Sequence, residues 1–277
     1  MVLFIVICII TSIYILYRTY YHIESFQDIA NIPTYIWQTY KTKELSAEVA
    51  DIRNSWITKN PGWEVQLYDD DDINQYIKQS WSEDMHSFYR ALPLGVMKAD
   101  LWRYLILTTH GGVYADIDSL CLKPVNQWFN TFTTKDALVI SPEKDGVGEE
   151  HFCQWTMYCT KEHPAMRFVA NFILDRYMKN GINVKYEHFV HQTTGPNVWT
   201  DAIKSYLNMD TMTAKKMFEL YTTNPAPFVE KGIYILSSDH FQGIYSKNMY
   251  GSQNFGDGYV SWTKQRDSIV QAATSHS

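Results

Sequence analysis

Asp116 and Asp118, in the run Asp116-Ile-Asp118, are the residues whose type and spacing most directly suggest chemistry. On a strand, residues two apart face the same way, so both carboxylates would enter one space and repel each other unless a cation joins them. Magnesium and manganese prefer oxygen ligands, commonly a few carboxylates completed by substrate phosphates. A divalent ion held there would offset charge on a departing nucleoside diphosphate, an effect on the order of several kcal/mol. The pattern alone is common in acidic loops. The run Asp69-Asp-Asp-Asp72 illustrates this, and is read as a helix cap that meets solvent.

The segment upstream narrows the reading. Asp100 and Arg103, in Lys98-Ala-Asp-Leu-Trp-Arg-Tyr, are three apart and so share one face of a helix. As a surface ion pair they would contribute little. In a site, Asp100 would take sugar hydroxyls, and the forked guanidinium of Arg103 would take donor sugar or phosphate. Gly111 and Gly112 allow the reversal that aims the following strand at the Asp pair. His191, just before Gln192-Thr-Thr-Gly-Pro, either faces an acceptor or is an ordinary loop residue.

These residues need a frame. Thr34–Trp37, Trp63–Tyr68 and Val113–Asp118 read as strands. Helices are expected over Ala47–Lys59, stopped by Asn60-Pro-Gly, from Asp69 to Gln79, over Gly95–Thr109, and from Ala165 to Met178 after a His163-Pro164 turn. Strands and helices that alternate imply an α/β domain with a largely parallel sheet, whose ligands sit beyond the carboxyl ends of the strands. Asp116 and Asp118 fall at such an end.

The 277 residues carry a net charge of −6 with no concentrated basic stripe, which argues against a nucleic-acid partner. Aromatic residues make up 15% of the chain and serve equally as core or as stacking surface for sugars and bases. Four cysteines in a chain of this length do not form a disulfide scaffold; Cys153 and Cys159 are expected to be unpaired. Val2–Tyr17 is uncharged and apolar, bounded by Arg18 and several tyrosines. It is read as an uncleaved single-pass membrane anchor within residues 1–21, followed by a stem at 22–31 and one catalytic domain at 32–277. A buried core helix is the alternative.

The motifs in order resemble glycosyltransferase family 32, the sugar-binding-region family with a DXD motif. The resemblance rests on Ile32-Pro-Thr-Tyr-Ile-Trp-Gln-Thr-Tyr, Asn60-Pro-Gly-Trp, Ala91–Tyr104, Gly111–Asp118 and Thr194-Gly-Pro. It implies a GT-A-type fold, a nucleotide-diphospho-sugar donor (GDP-mannose favoured), Mn²⁺ or Mg²⁺, and a glycan or glycolipid acceptor. It implies hexosyl transfer, mannose favoured, with retention, in Golgi- or ER-type membranes or a host membrane. By the same resemblance Trp37 and Gln38 would border the nucleotide, Asp100 and Arg103 the donor, and Tyr114 the pocket beside the metal ligands Asp116 and Asp118. A packing role for Trp37 is the competing expectation. Near the C-terminus such proteins often carry His-x-x-x-Gly-Ser-Trp. Here either Gly251-Ser252 matches it, with Lys247 for the histidine and Gln253 for the tryptophan, or Ser261-Trp262 is the equivalent, and Asn254 and Asp257 are minor candidates for the metal. Two other functions fit the Asp pair: a metal-dependent phosphoester or nucleotide hydrolase, and an inactive sugar-nucleotide-binding module of the same fold.

Overall fold

A computed structural model describes residues 33–128, 136–144, 149–249 and 262–275. The expected anchor (1–21) and stem (22–31), together with Gly251, Ser252, Gln253, Asn254, Asp257 and Ser261, lie outside the described residues. Among those described, no helix is long and apolar enough to cross a membrane. The described secondary structure belongs to one compact unit, Thr34–Ser277.

The first half alternates as the sequence suggests. Strand β1 (Tyr35–Thr39) leads to helix α1 (Ala47–Lys59), whose N-terminus is capped by the Ser46 hydroxyl accepting from the Val49 amide. Strand β2 (Glu64–Tyr68) follows, then α2 (Asp70–Ser80). Asp69 and Asp72 form a reciprocal capping box at the start of α2, so this acidic run does serve a helix terminus. Helix α3 (Glu83–Ala91) was not legible as a separate element, although Ser82 caps it in the usual way.

Helix α4 (Gly95–His110) is the spine of the domain. Leu101, Trp102, Tyr104, Leu105, Ile106 and Leu107 are all fully buried, so the helix is covered on every side. It ends at Gly111 (φ +66°), and Gly112 (φ +97°) opens strand β3 (Gly112–Ala115). A side chain at Gly112 would place its Cβ 2.5 Å from the Tyr35 carbonyl oxygen, so β3 reaches β1 only because this position has none.

The strand expected to continue to Asp118 stops at Ala115. Its pairing with the later strand β6 (Thr156–Cys159) ends at Ala115↔Thr156. Asp116-Ile-Asp-Ser119 then closes a turn in which the Ser119 amide donates to the Asp116 carbonyl at 2.9 Å. The two acids therefore sit on a turn, rather than on one strand face as the sequence suggested.

Beyond the turn come β4 (Ser119–Cys121), β5 (Leu138–Ile140) and β6. Helix α5 (Pro164–Asn180) takes its N-cap from the His163 ring. Four further helices follow: α6 (Phe189–Thr193), α7 (Pro196–Leu207), α8 (Ala214–Thr223) and α9 (Ala226–Val229). Strands β7 (Ile233–Ile235) and β8 (Ser246–Asn248) and helix α10 (Trp262–Ser275) complete the described chain. The main sheet has the order β2-β1-β3-β6-β5-β7, in which only β6 runs against the rest; β4 and β8 form a separate antiparallel pair. Cys121, Cys153 and Cys159 are buried thiols without a disulfide.

Gly112→Ala should lower the unfolding free energy by about 2 kcal/mol or more, because it adds a backbone clash to a left-handed φ. The midpoint of urea unfolding measures this directly; an unchanged midpoint would mean that β3 does not approach β1 as described.

Candidate active site

The rim follows from the direction of the strands. β1, β3 and β5 are parallel, so their carboxyl ends open on one edge, where a cleft of about 1180 Å³ lies. Thr39, Tyr40 and Lys41 line it beyond β1, and Asp116, Ile117 and Asp118 beyond β3. Because β6 runs the other way, the residues that precede it, Gln154 and Trp155, reach the same edge. Glu143 and Lys144 beyond β5, Lys247 and Asn248 of β8, and Gln265 and Ser268 of α10 complete the wall.

The turn that bears the acids is clamped by its neighbours. The Asp116 amide donates to the Trp155 carbonyl at 2.8 Å, and the Met249 amide donates to the Asp118 carbonyl at 2.9 Å. From below, the Trp56 indole of α1 donates to the Ser119 carbonyl at 2.6 Å. Local backbone pairing therefore fixes the spacing of the carboxylates before any ligand arrives.

Arg103 is the positive centre of the site. One guanidinium nitrogen, Nη2, donates to Asp100 Oδ1 at 2.9 Å and to Asp116 Oδ1 at 3.0 Å. The guanidinium lies 4.7 Å from the Tyr114 ring centroid, and the Tyr114 hydroxyl donates to the same Asp116 oxygen at 2.6 Å. Asp100 and Arg103 are only 1% and 2% exposed, so the pair is not the surface ion pair considered above. Asp100 is saturated: Gln154 Nε2 donates to Oδ1 at 3.0 Å and the Thr194 hydroxyl to Oδ2 at 3.2 Å. Tyr104 joins the same network, its hydroxyl lying 2.5 Å from Gln154 Oε1 and 3.0 Å from the Thr194 carbonyl. The Thr194-Gly-Pro element thus orients Asp100. Gly195 lets α6 pack closely against it, since a Cβ there would lie 2.8 Å from the His191 Cα.

Burial raises the Asp118 carboxyl to about 7, with repulsion from Asp116 adding to it. Burial likewise lifts Asp100 to about 6, against the pull of Arg103. Asp116 is raised by burial and opposed by Arg103 and the Tyr114 hydroxyl. Two acids on one turn that repel each other, Asp118 buried and Asp116 part-buried, are the kind of donor set that a hard divalent cation relieves. Arg103 and Tyr114 occupy one oxygen of Asp116, leaving Oδ2 for such an ion. Among the described residues there is no group of three His, Cys, Asp or Glu able to hold a metal, so Asp116 and Asp118 would need water or substrate oxygens to complete a shell. The Nε and Nη1 atoms of Arg103 are buried without a hydrogen-bond partner among the described residues, so the guanidinium keeps unused donor capacity at the cleft wall.

The structure brings Asp100, Arg103, Tyr114, Asp116 and Asp118 to one wall of the cleft. Trp37 and Gln38 stand behind it. Trp37 is buried against α4, its indole donating to the Gly111 carbonyl at 2.7 Å, which is the packing role. Gln38 is fully buried in the sheet, and neither of its amide atoms has a partner among the described residues. The lining residues at this end are the next three, Thr39 to Lys41. His191 does line the cleft. Gln154 was missed; the one signal for it is a lone carboxamide inside the apolar run Phe152-Cys-Gln-Trp.

This arrangement is an α/β fold of GT-A type with an acidic turn at a strand end. Comparison with known proteins agrees. Residues 46–133 match the family described as glycosyltransferase sugar-binding region containing DXD motif. That segment spans α1 through the acidic turn, and over it the resemblance drawn from the motifs holds. The initiation-specific alpha-1,6-mannosyltransferase of Schizosaccharomyces pombe is 32% identical over 197 residues, covering 65% of this chain and 50% of that protein. Its Candida albicans namesake is 30% identical over 205 residues, 64% of this chain and 53% of that protein. Inositol phosphoceramide mannosyltransferase 1 of Schizosaccharomyces pombe is 29% identical over 140 residues, 50% and 41% respectively. The chain thus spans about half the length of the curated relatives it matches. The solved PaToxG glycosyltransferase shares the fold, with a TM-score of 0.54 at 17% identity over 87% of both chains.

The raised carboxyls give a pH dependence. A carboxyl lifted above its ordinary 3.8 stabilises the fold while protonated and loses that contribution as pH rises toward about 7. In EDTA, Asp118→Asn should therefore gain stability relative to the unsubstituted chain between pH 4 and 8, by at most a few kcal/mol. Thermal unfolding across that range measures the difference, and parallel curves would show that Asp118 is not strained.

Proposed function

We propose that this chain is a divalent-metal-dependent glycosyltransferase that moves a hexose from a nucleoside-diphosphate sugar to a hydroxyl of a glycan or glycolipid. The observation that carries this reading is Arg103, held between Asp100 and Asp116 beside the Asp116–Asp118 turn in an open cleft. The similar proteins, initiation-specific and inositol phosphoceramide mannosyltransferases, favour mannose and hence GDP-mannose with Mn²⁺ or Mg²⁺. Transfer with retention is the outcome that the family resemblance favours.

In this reading Asp116 and Asp118 would hold the cation, which would supply positive charge to the diphosphate when bound. Arg103, on the cleft wall, brings its charge to donor phosphate or sugar and stabilises the leaving group as the glycosidic bond breaks. Asp100 keeps Arg103 in place and is itself oriented by Gln154 and Thr194. The glycosidic electrons leave with the diphosphate, the acceptor oxygen bonds the anomeric carbon, and the acceptor proton passes to the departing phosphate. A base supplied by the protein is then unnecessary. Thr39–Lys41 take the place proposed for Trp37 and Gln38 at the nucleotide end, with those two supporting them from behind. The domain assignment is part of the same proposal: residues 1–21 as membrane anchor, 22–31 as stem and 32–277 as the catalytic domain.

A screen of nucleotide sugars by thermal shift with Mn²⁺ should single out one donor, since a ligand at a hundred times its Kd stabilises by roughly 2.7 kcal/mol. With that donor, Asp118→Asn and Arg103→Lys should each lower kcat by about 100-fold or more. A full rate for Asp118→Asn would remove the metal assignment. Release of free nucleotide from substrates that carry no sugar would instead support a phosphoester hydrolase.

A further inference from the structure

Helix α6 has two faces with different neighbours. Val190 and His191 line the large cleft, whereas Phe189, Gln192 and Thr193 line a second pocket of about 470 Å³ on the other side. Positions 189, 192 and 193 share a face by helical spacing, so a single turn of helix forms a ridge between the two spaces. The rest of the second pocket comes from the end of α5 and the loop after it: Tyr177, Asn180, Asn183 and Tyr186, with Arg176 at the edge.

The chemistry of this pocket is specific. Asn180, Asn183, Gln192 and Thr193 present carboxamides and a hydroxyl, and their side chains make no hydrogen bond with the protein among the described residues. Carboxamides both donate and accept, as does a hydroxyl. The Tyr186 ring is 41% exposed, an aromatic face left toward solvent. Tyr177 is fixed by stacking on Phe88 at 4.2 Å, and buried Phe189 closes the floor. Arg176, the one cation, is paired with Asp201 at 3.0 Å, so the pocket has no spare charge to select an anion. Amphipathic rings beside unpaired donors and acceptors, with charge compensated, suit a neutral polyhydroxylated ligand.

The geometry points to a second carbohydrate subsite here, occupied by a remote unit of an oligosaccharide acceptor whose reacting end lies in the main cleft. The inference rests on the glycosyltransferase reading for the reacting end, and it selects an extended glycan as the acceptor. A helix with its side chains is roughly 10 Å across, so one ligand that fills both pockets must be longer than a monosaccharide. Tyr186, His188 and His191 form a continuous line of rings over the ridge, at centroid separations of 5.6 and 6.1 Å.

The test uses the whole chain and four pentasaccharides, built from α-mannose, β-glucose, β-galactose or N-acetylglucosamine. Calorimetric titration without donor should detect binding of one of them. Tyr186→Ala and Asn183→Ala, both at exposed side chains, should each weaken that binding about tenfold. Hydrolysis of the donor sugar should keep its rate in both variants, and KM for the pentasaccharide should rise while KM for the matching monosaccharide stays the same. Binding of none of the four, or affinity unchanged in both variants, would overturn the subsite. A chain that hydrolyses donor but binds no pentasaccharide loses the subsite alone. One that binds through Tyr186 and Asn183 yet turns over no donor keeps the subsite and loses the glycosyltransferase reading.

Discussion

A single guanidinium nitrogen that serves two carboxylates underlies the organisation of this domain. Arg103 Nη2 meets Asp100 and Asp116 within 3.0 Å, in a place where the arginine is 2% exposed. Removing one partner from such a buried set leaves a charge uncompensated, at a cost of about 3–5 kcal/mol. The cost explains the polar groups around it. Gln154 and Thr194 come from segments 54 and 94 residues along the chain from Asp100, and together with Tyr104 of α4 itself they spend their hydrogen-bonding capacity on orienting Asp100 or its neighbours. Tertiary packing and the site are therefore one construction: the helix that fills the core also supplies the cation.

The same economy appears in the sheet. Five strands run one way and β6 runs against them. If β6 were parallel, Gln154 and Trp155 would lie at the far edge of the sheet. Reversed, it brings the Gln154 amide to Asp100 and the Trp155 carbonyl to the Asp116 amide. One antiparallel strand in a parallel sheet thus completes the rim from the side that parallel strands cannot reach.

Much of this was legible in sequence, for identifiable reasons. Apolar helical spacing and the Asn60-Pro-Gly stop placed α1 to the residue, and the structure adds the Ser46 cap. Gly111-Gly112 correctly marked the end of α4, where positive φ is obligatory. What failed was what depends on partners distant in the chain. The strand through Asp116 ended early because β6, 40 residues on, stops pairing at Ala115. Trp37 and Gln38 carry no local sign of which side of β1 meets a ligand, and both turned out to be buried behind the cleft. The burial of Asp100 and Arg103 was recoverable: Leu101-Trp-Arg-Tyr-Leu-Ile-Leu107 is apolar almost all round, the mark of a helix without a solvent face. Charged residues in such a helix have to be paired inside the protein.

That pairing also constrains which ion the proposed site would hold. One oxygen of Asp116 is committed to Arg103 and Tyr114, and no third acid or imidazole joins the pair among the described residues. Magnesium and manganese accept one or two carboxylates and take the balance from water and phosphate. A cation held so incompletely by the protein binds well only when the diphosphate brings its own oxygens. The strained carboxyl of Asp118 would then be relieved chiefly in the loaded complex, which couples metal and donor binding to each other. Arg103 differs in that its charge is locked in the fold and is present before either arrives.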